Sequence, residues 1–206
     1  MEGVADLTEQ SAPRNPPHAP DRRTQIADAA LDLAARGGNR AVTHSGVDGL
    51  LDLPKGSTSY YFRTRRALLD AALAHLTATS SASFEASTGP DRAATDPAVA
   101  DPAGAIGRYL HTLITTRTRD VRARFALAPD ATHDDDLVRS LHNCLFSRPA
   151  AVALFTALDA DDPESDADDL LVFCEGVAAS HLFGGAPRSA ASLAAAVHRR
   201  FVHTSQ

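Results

Sequence analysis

The stretch "VTHSGVDGLLDLPKGSTSYYFRTRRALL", Val42 to Leu69, decides the fold. Two short apolar periods meet in it across a turn. Val47, Leu50 and Leu51 stand at i, i+3 and i+4, one face of a helix, and Thr43 suits its N-cap. Asp52 falls where the chain must turn, and aspartate tolerates left-handed backbone better than most residues. Pro54 suits a helix start, so "PKGSTSYYF" is predicted to be a short helix. Thr64 can cap the next one, which carries Leu68, Leu69, Ala72, Leu73 and Leu76 and is expected to reach Phe84.

Two short helices joined by a three- or four-residue turn read as a helix-turn-helix. In that motif the second helix enters the DNA major groove with its N-terminal end leading. The composition fits. Lys55 is the only lysine in the chain, and it sits at the predicted first turn beside Gly56, which allows close backbone approach. Ser57 and Ser59 are small donors or acceptors for base edges and phosphates. Tyr60 and Tyr61 bring flat apolar area with a hydroxyl tip, while Phe62 reads as core. Thr43, His44 and Ser45 head the preceding helix and join the DNA-binding candidates. Arg63, Arg65 and Arg66 flank the next helix start, where they can hold the sugar–phosphate backbone. The helix N-terminus is itself expected to favour phosphate oxygens. The competing view is that the tyrosines are core aromatics of a small helical domain.

Upstream, Asp21 to about Arg36 is predicted as a first helix, with Ile26, Ala30, Leu33 and Ala34 on one face and Gly37–Gly38 as its stop. Residues 1–20 hold Pro13, Pro16, Pro17 and Pro20 with little apolar content and read as a disordered arm. Downstream, "STGPDRAATDPAVADPAG" reads as a loop. Helical periodicity then resumes with Ile106, Leu110, Leu113 and Ile114. A short segment follows around Phe125, then a helix with Leu137, Leu141 and Leu145, and another with Val152, Leu154, Phe155 and Leu158. Pro149 is expected to kink or split that stretch. "DADDPESDADD" reads as an acidic loop. A helix with Leu170, Cys174, Val177, Ala178 and His181 ends at Gly184–Gly185, and a last helix holds Leu193, Ala196, Val197 and Phe201.

The bulk composition agrees with an all-α protein. Of 206 residues 44% are hydrophobic, alanine and leucine lead, and tryptophan is absent. The net charge of −6 excludes a blanket polyanion binder and confines any DNA site to a local patch. From Asp21 to Asp70 bases outnumber acids; from Ala71 onward the balance reverses. Cys144 and Cys174 form no CxxC pair and read as reduced thiols of a cytoplasmic protein. No apolar run approaches the roughly 18 residues of a membrane span, and the first residues lack the pattern of a secretion signal. No nucleophile elbow, P-loop or dinucleotide fingerprint points to an enzyme, so no catalytic residue and no cofactor are assigned. His133 to Asp136, "HDDD", would offer an imidazole and three carboxylates to a cation. Adjacent residues rarely converge on one ion, so the run reads as a capped helix start and no metal site is assigned. A helical interaction module without DNA binding remains the main rival.

The run from Thr24 to Leu73 resembles the N-terminal DNA-binding domain of the TetR family of bacterial transcriptional regulators. Thr43 matches the capping threonine, Val47 the buried aliphatic, Phe62 the closing aromatic, and Arg65 the basic residue that usually touches phosphate. Three departures stand out: Asp48 replaces the usual alanine, Asp52 the usual turn glycine, and Ser59 stands where tyrosine is commonest. The resemblance implies an all-helical chain of about nine helices. A helix-turn-helix domain would span 21–66, and a larger ligand-binding and dimerisation domain 67–206. It further implies a homodimer on a palindromic double-stranded operator, most commonly repressing, and released by a small-molecule effector. The last two helices would form the dimer interface, with Gly176, Ala179, Ser180, Ala191, Ala194 and Ala195 allowing close approach; intrachain packing is the alternative. Candidate effector contacts are Leu76, Tyr109, Leu113, Phe125, Leu141, His142, Phe146, Phe173 and His181, with core packing as the competing role.

Overall fold

A computed structural model describes residues 21–88, 101–132 and 134–202. The predicted N-terminal arm, most of the predicted loop before Pro102, and His133 lie outside them. The described residues form ten α-helices and two 3-10 turns. The helices are α1 (Arg22–Gly37), α2 (His44–Leu50), α3 (Ser57–Tyr61), α4 (Arg65–Ser87), α5 (Pro102–Thr115), α6 (Thr118–Leu127), α7 (Asp135–Asn143), α8 (Arg148–Ala157), α9 (Pro163–Leu182) and α10 (Ala190–Phe201). The turns are Asn39–Ala41 and Ala128–Ala131.

Short polar side chains place most of the starts. All helices except α3 and α6 begin on a side-chain cap: Asp21, Thr43, Thr64, Asp101, Asp134, Ser147, Asp162 and Ser189 each accept a backbone N–H of the first turn. Each such bond satisfies an amide the helix cannot, stabilising it by about 1 kcal/mol. Asp134 is thus the cap expected of a helix start in the "HDDD" run.

Three local expectations need correction. The acidic run is not all loop, because α9 begins within it. Asp162 caps the helix, Pro163 opens it, and Glu164 and Asp166 lie in its first turn, where the positive end of the helix dipole favours carboxylates. The third helix starts at Ser57 rather than Pro54, since Gly56 adopts a left-handed φ of 93°. The break between α7 and α8 precedes Pro149, which sits harmlessly in the first turn of α8. Asp52, in contrast, does take the left-handed turn, with φ 52°.

One apolar core joins both ends of the chain. Ile26, Ala30 and Leu31 of α1 are buried with Val47, Leu68, Leu73, Val121 and Leu127. Helix α1 packs on α4 and α6, and α10 packs along α5. The α5–α10 contact is close enough to need a glycine: a Cβ on Gly107 would lie 2.6 Å from the Ala194 amide nitrogen. Ala194 therefore serves intrachain packing, whereas Ala191 and Ala195 stay exposed.

Candidate nucleic-acid interface and ligand chamber

The short α3 has no side-chain cap of its own. Asp48, from the preceding helix, takes that role at a distance. Its carboxylate accepts the Gly56 N–H (2.7 Å), the Thr58 N–H (2.8 Å) and the Thr58 hydroxyl (2.7 Å). Asp48 and Thr58 are both buried. Burial alone would raise the Asp48 carboxyl; the bonds from Thr58 and Gly56, with the nearby His44, outweigh it and hold the group below the ordinary carboxylate range.

This geometry revises the phosphate expectation at the α3 N-terminus. The Gly56 and Thr58 amides are committed to Asp48, and the Ser57 N–H goes to the Pro54 carbonyl (3.0 Å). What the head offers outward is side-chain chemistry. Lys55, Ser59, Arg63 and Arg40 are exposed, and Tyr60 is 80% exposed. Tyr61 is half-buried, edge-on to Tyr60 at 5.2 Å, with Arg23 over its ring. Phe62 is core, as predicted.

The remaining head candidates divide by partner. Ser45 is exposed, and Thr43 is exposed while capping α2 through the Gly46 N–H (2.9 Å). His44 turns its Nε2 back to the Phe62 carbonyl (2.6 Å), and the Ser57 hydroxyl donates to the Pro54 carbonyl (2.6 Å). Arg65 braces the fold. Its guanidinium donates to the Val42 carbonyl (3.0 Å), the Asn39 carbonyl (2.7 Å) and both oxygens of Asp130 (2.7 and 3.1 Å). Arg66 pairs with Asp70 and Asp134.

A second feature lies on the far side of α4. A cavity of about 640 Å³ opens between α4, α5, α8, α9 and the end of α7. Three rings form part of its wall. Phe84 meets Tyr109 edge-on at 5.5 Å, and Tyr109 meets Phe146 edge-on at 6.1 Å. The Tyr109 hydroxyl donates to the Leu145 carbonyl (2.5 Å), and burial pushes its pKa up to about 12. Thr77, Ser80 and Ser81 of α4 bring hydroxyls to the lining.

Of the predicted effector contacts, the structure brings only Tyr109 and Phe146 to this chamber. Leu76, Leu113 and Leu141 are core residues elsewhere. Phe125 lies under the Arg124 guanidinium, Phe173 packs on Phe201, and His142 is exposed. His181 is half-buried, with its Nδ1 lacking a hydrogen-bond partner among the described residues. Ser80, Phe84, Asn143 and Leu154, which were not among those candidates, line the chamber as well. Thr77, Ser80 and Ser81 stand at i, i+3 and i+4, but α4 also carries Thr79, Ser83, Glu85 and Ser87, so the sequence alone does not single out this face.

The profile for "Tetracyclin repressor-like, C-terminal domain" matches residues 97–202. The chain belongs to the TetR family. No curated protein sequence matches it. Among solved structures it is similar to a TetR-family member from Streptomyces coelicolor A3, at 23% identity and TM-score 0.71, over 89% of this chain and 100% of that one. A transcriptional regulator from Rhodococcus sp. Rha1 aligns at 20% identity and TM-score 0.69, over 88% and 94%. The multidrug binding protein EbrR complexed with ethidium aligns at 22% identity and TM-score 0.65, over 89% and 100%. At such identities the structures speak for the fold alone.

Within the TetR pattern, the departure at Asp48 now has a physical content. A buried carboxylate at the place of the usual alanine ties α3 to α2 by three hydrogen bonds. The departure at Asp52 costs some backbone strain, since a non-glycine residue holds a left-handed φ there. Among the described residues no helix is long and apolar enough to cross a membrane, and no group of three His, Cys, Asp or Glu side chains is placed to hold a metal ion.

Proposed function

We propose that this TetR-family chain is a cytoplasmic, non-enzymatic repressor that binds a palindromic operator as a homodimer and leaves it when a small molecule fills the chamber. Residues 21–66 act as the reading head and 67–206 as the ligand and dimer domain. The observation that carries this is the outward display of Ser59 and Tyr60 on α3, and of Lys55 in the turn before it, with the helix held at its base by Asp48. A flexible mount would lose affinity to ordering; a pinned one does not.

The dimer surface is α9 with α10. Val172 and Phe183 are 71% and 84% exposed; Val172, Gly176 and Ala179 fall on one stripe of α9, which Phe183 continues at its C-cap. Such an exposed apolar stripe suits a self-complementary twofold contact. Two heads on a twofold axis then match half-sites about one helical turn apart. The chamber reading gains support from EbrR, a structure of similar fold complexed with ethidium.

Selection of bound sequences from a random DNA pool tests the proposal. A recovered palindrome is expected. Neutralising ~6–10 phosphates per dimer, affinity for it falls by ~10³–10⁵ between 50 and 200 mM salt. A Lys55→Ala/Tyr60→Ala double variant loses retention on the selected DNA. Equal retention of wild type and variant, or a flat salt response, would favour a protein-interaction module instead.

A further inference from the structure

We propose that a chain of polar side chains couples the chamber wall to the reading head, running from Ser80 through Arg117, Asp120 and Arg119 to Asp28 and Asp32 of α1. The inference rests on the head and chamber of the proposed function and adds the residues through which one acts on the other.

The chain starts in the chamber. Ser80 of α4 is buried and lines the cavity. Its Oγ accepts from Arg117 Nη2 (3.0 Å), and the neighbouring Thr79 hydroxyl accepts from the same nitrogen (3.3 Å). Arg117 stands at the junction of α5 and α6. Its Nε donates to Asp120 (2.7 Å). The other oxygen of Asp120 accepts from Arg119 Nε (2.8 Å). Arg119 then reaches from α6 to α1, where its Nη1 donates to Asp28 (2.7 Å) and Asp32 (3.1 Å).

Burial tightens the inner links. The Arg117 and Asp120 side chains are 13% and 6% exposed. A buried charge that loses its partner is strongly unfavourable, so each member follows its neighbour rather than part from it. Guanidinium forks are planar and pre-organised, so a tilt at one end re-aims the other. Arg117 has no spare bond to fall back on. Its Nη1 is buried without a hydrogen-bond partner among the described residues, which leaves Ser80, Thr79 and Asp120 to hold the group. A change at the Ser80 hydroxyl therefore bears on Asp120.

The far end is fixed to the head. Helix α1 packs on α6. Past the end of α6, Asp130 grips Arg65, which also holds the Asn39 and Val42 carbonyls. Helix α6 is thus tied to the head at both ends, by Arg119 at its start and Asp130 beyond its finish. Movement of Arg117 reaches α1 without travelling along α4, on which Ser80 lies roughly 22 Å from Arg65.

A double-mutant cycle in urea unfolding of the full chain tests the coupling. It joins Ser80→Ala to an α1-end variant, Asp28→Asn/Asp32→Asn, which leaves Arg119 paired with Asp120. Sites with no shared partner combine additively to within about twofold in the unfolding constant. Ser80 and the α1 end should depart from additivity by about fivefold. Asp21→Ala removes the α1 cap, which lies off the chain, and should be additive with Ser80→Ala. Arg117→Lys keeps the charge but cannot serve Asp120 and Ser80 together, and it takes the place of Ser80→Ala should that variant fail to fold. On the DNA recovered by selection, Ser80→Ala should shift affinity by about threefold in the wild-type background and leave it unchanged in the α1-end background. Additivity of Ser80 with the α1 end, equal coupling to Asp21, or the same DNA shift in both backgrounds overturns the inference. If selection recovers no palindrome, the functional reading falls, and the unfolding cycle still decides whether the chain couples the two regions.

Discussion

The reading head and the chamber handle buried polar groups in opposite ways. In the head, Asp48 is buried and fully used, with three donors on one carboxylate. In the larger part of the chain, a cavity of about 640 Å³ persists, and the Asn143 oxygen beside it has no hydrogen-bond partner among the described residues. Under the proposed function the head meets a repeating polymer in one register, and such a surface gains from being rigid. Under the same proposal the chamber answers a molecule, and an unfilled apolar space gains contacts when one enters it. The two are joined through α4, which starts at the Arg65 and Arg66 braces and ends at the chamber wall.

The largest expected effect lies in the head. Asp48→Ala strands the Gly56 N–H and both Thr58 donors and should cost about 3 kcal/mol in denaturant unfolding. Adding Thr58→Val removes the stranded hydroxyl and should recover part of that loss, a non-additivity a double-mutant cycle detects. Simple additivity would mean the pin is not a unit. The same carboxylate sets an acid limb. Its pKa is lowered in the folded chain, so its stabilisation is complete above the ordinary carboxylate pKa and is lost as pH falls through the lower folded value.

The chamber should show the reverse limb at slightly smaller size. Tyr109 is 3% exposed, and burial raises its pKa from 10.0 to about 12. Below pH 10 both states keep the proton. Between pH 10 and 12 the unfolded chain releases it first, so stability should fall by about 2–3 kcal/mol. Tyr109→Phe should remove that part of the alkaline decline. An unchanged decline would place its origin elsewhere, for example in the buried thiol of Cys144, also pushed up to about 12.

The smallest effect on stability should come from the most exposed residue. Tyr60→Ala should change unfolding free energy by under about 0.5 kcal/mol, because Tyr60 buries little within the chain. A larger loss would mark Tyr60 as a structural member of the head and weaken its assignment to an outward surface.

Helix starts and the two-helix head were legible in the residues because their causes are local. Thr43, Thr64 and Asp21 cap amides two or three positions away, and the i, i+3, i+4 spacing needs no distant partner. The acidic run before Leu170 misled for a local reason too: its composition suggests a loop, yet cap, proline and first-turn acids together start a helix.

What tertiary structure alone decided involves pairs far apart in the chain. Arg65 looks like a phosphate ligand until Asp130, 65 positions later, is found against it. Asp48 looks like an anomaly until Thr58 folds over it. The chamber draws on five helices, so Tyr109 and Phe146 reach it while Leu113 and Leu141, with equally apolar periodicity, do not. Periodicity says which side of a helix faces inward, and only the packing of several helices says whether that interior is filled or empty.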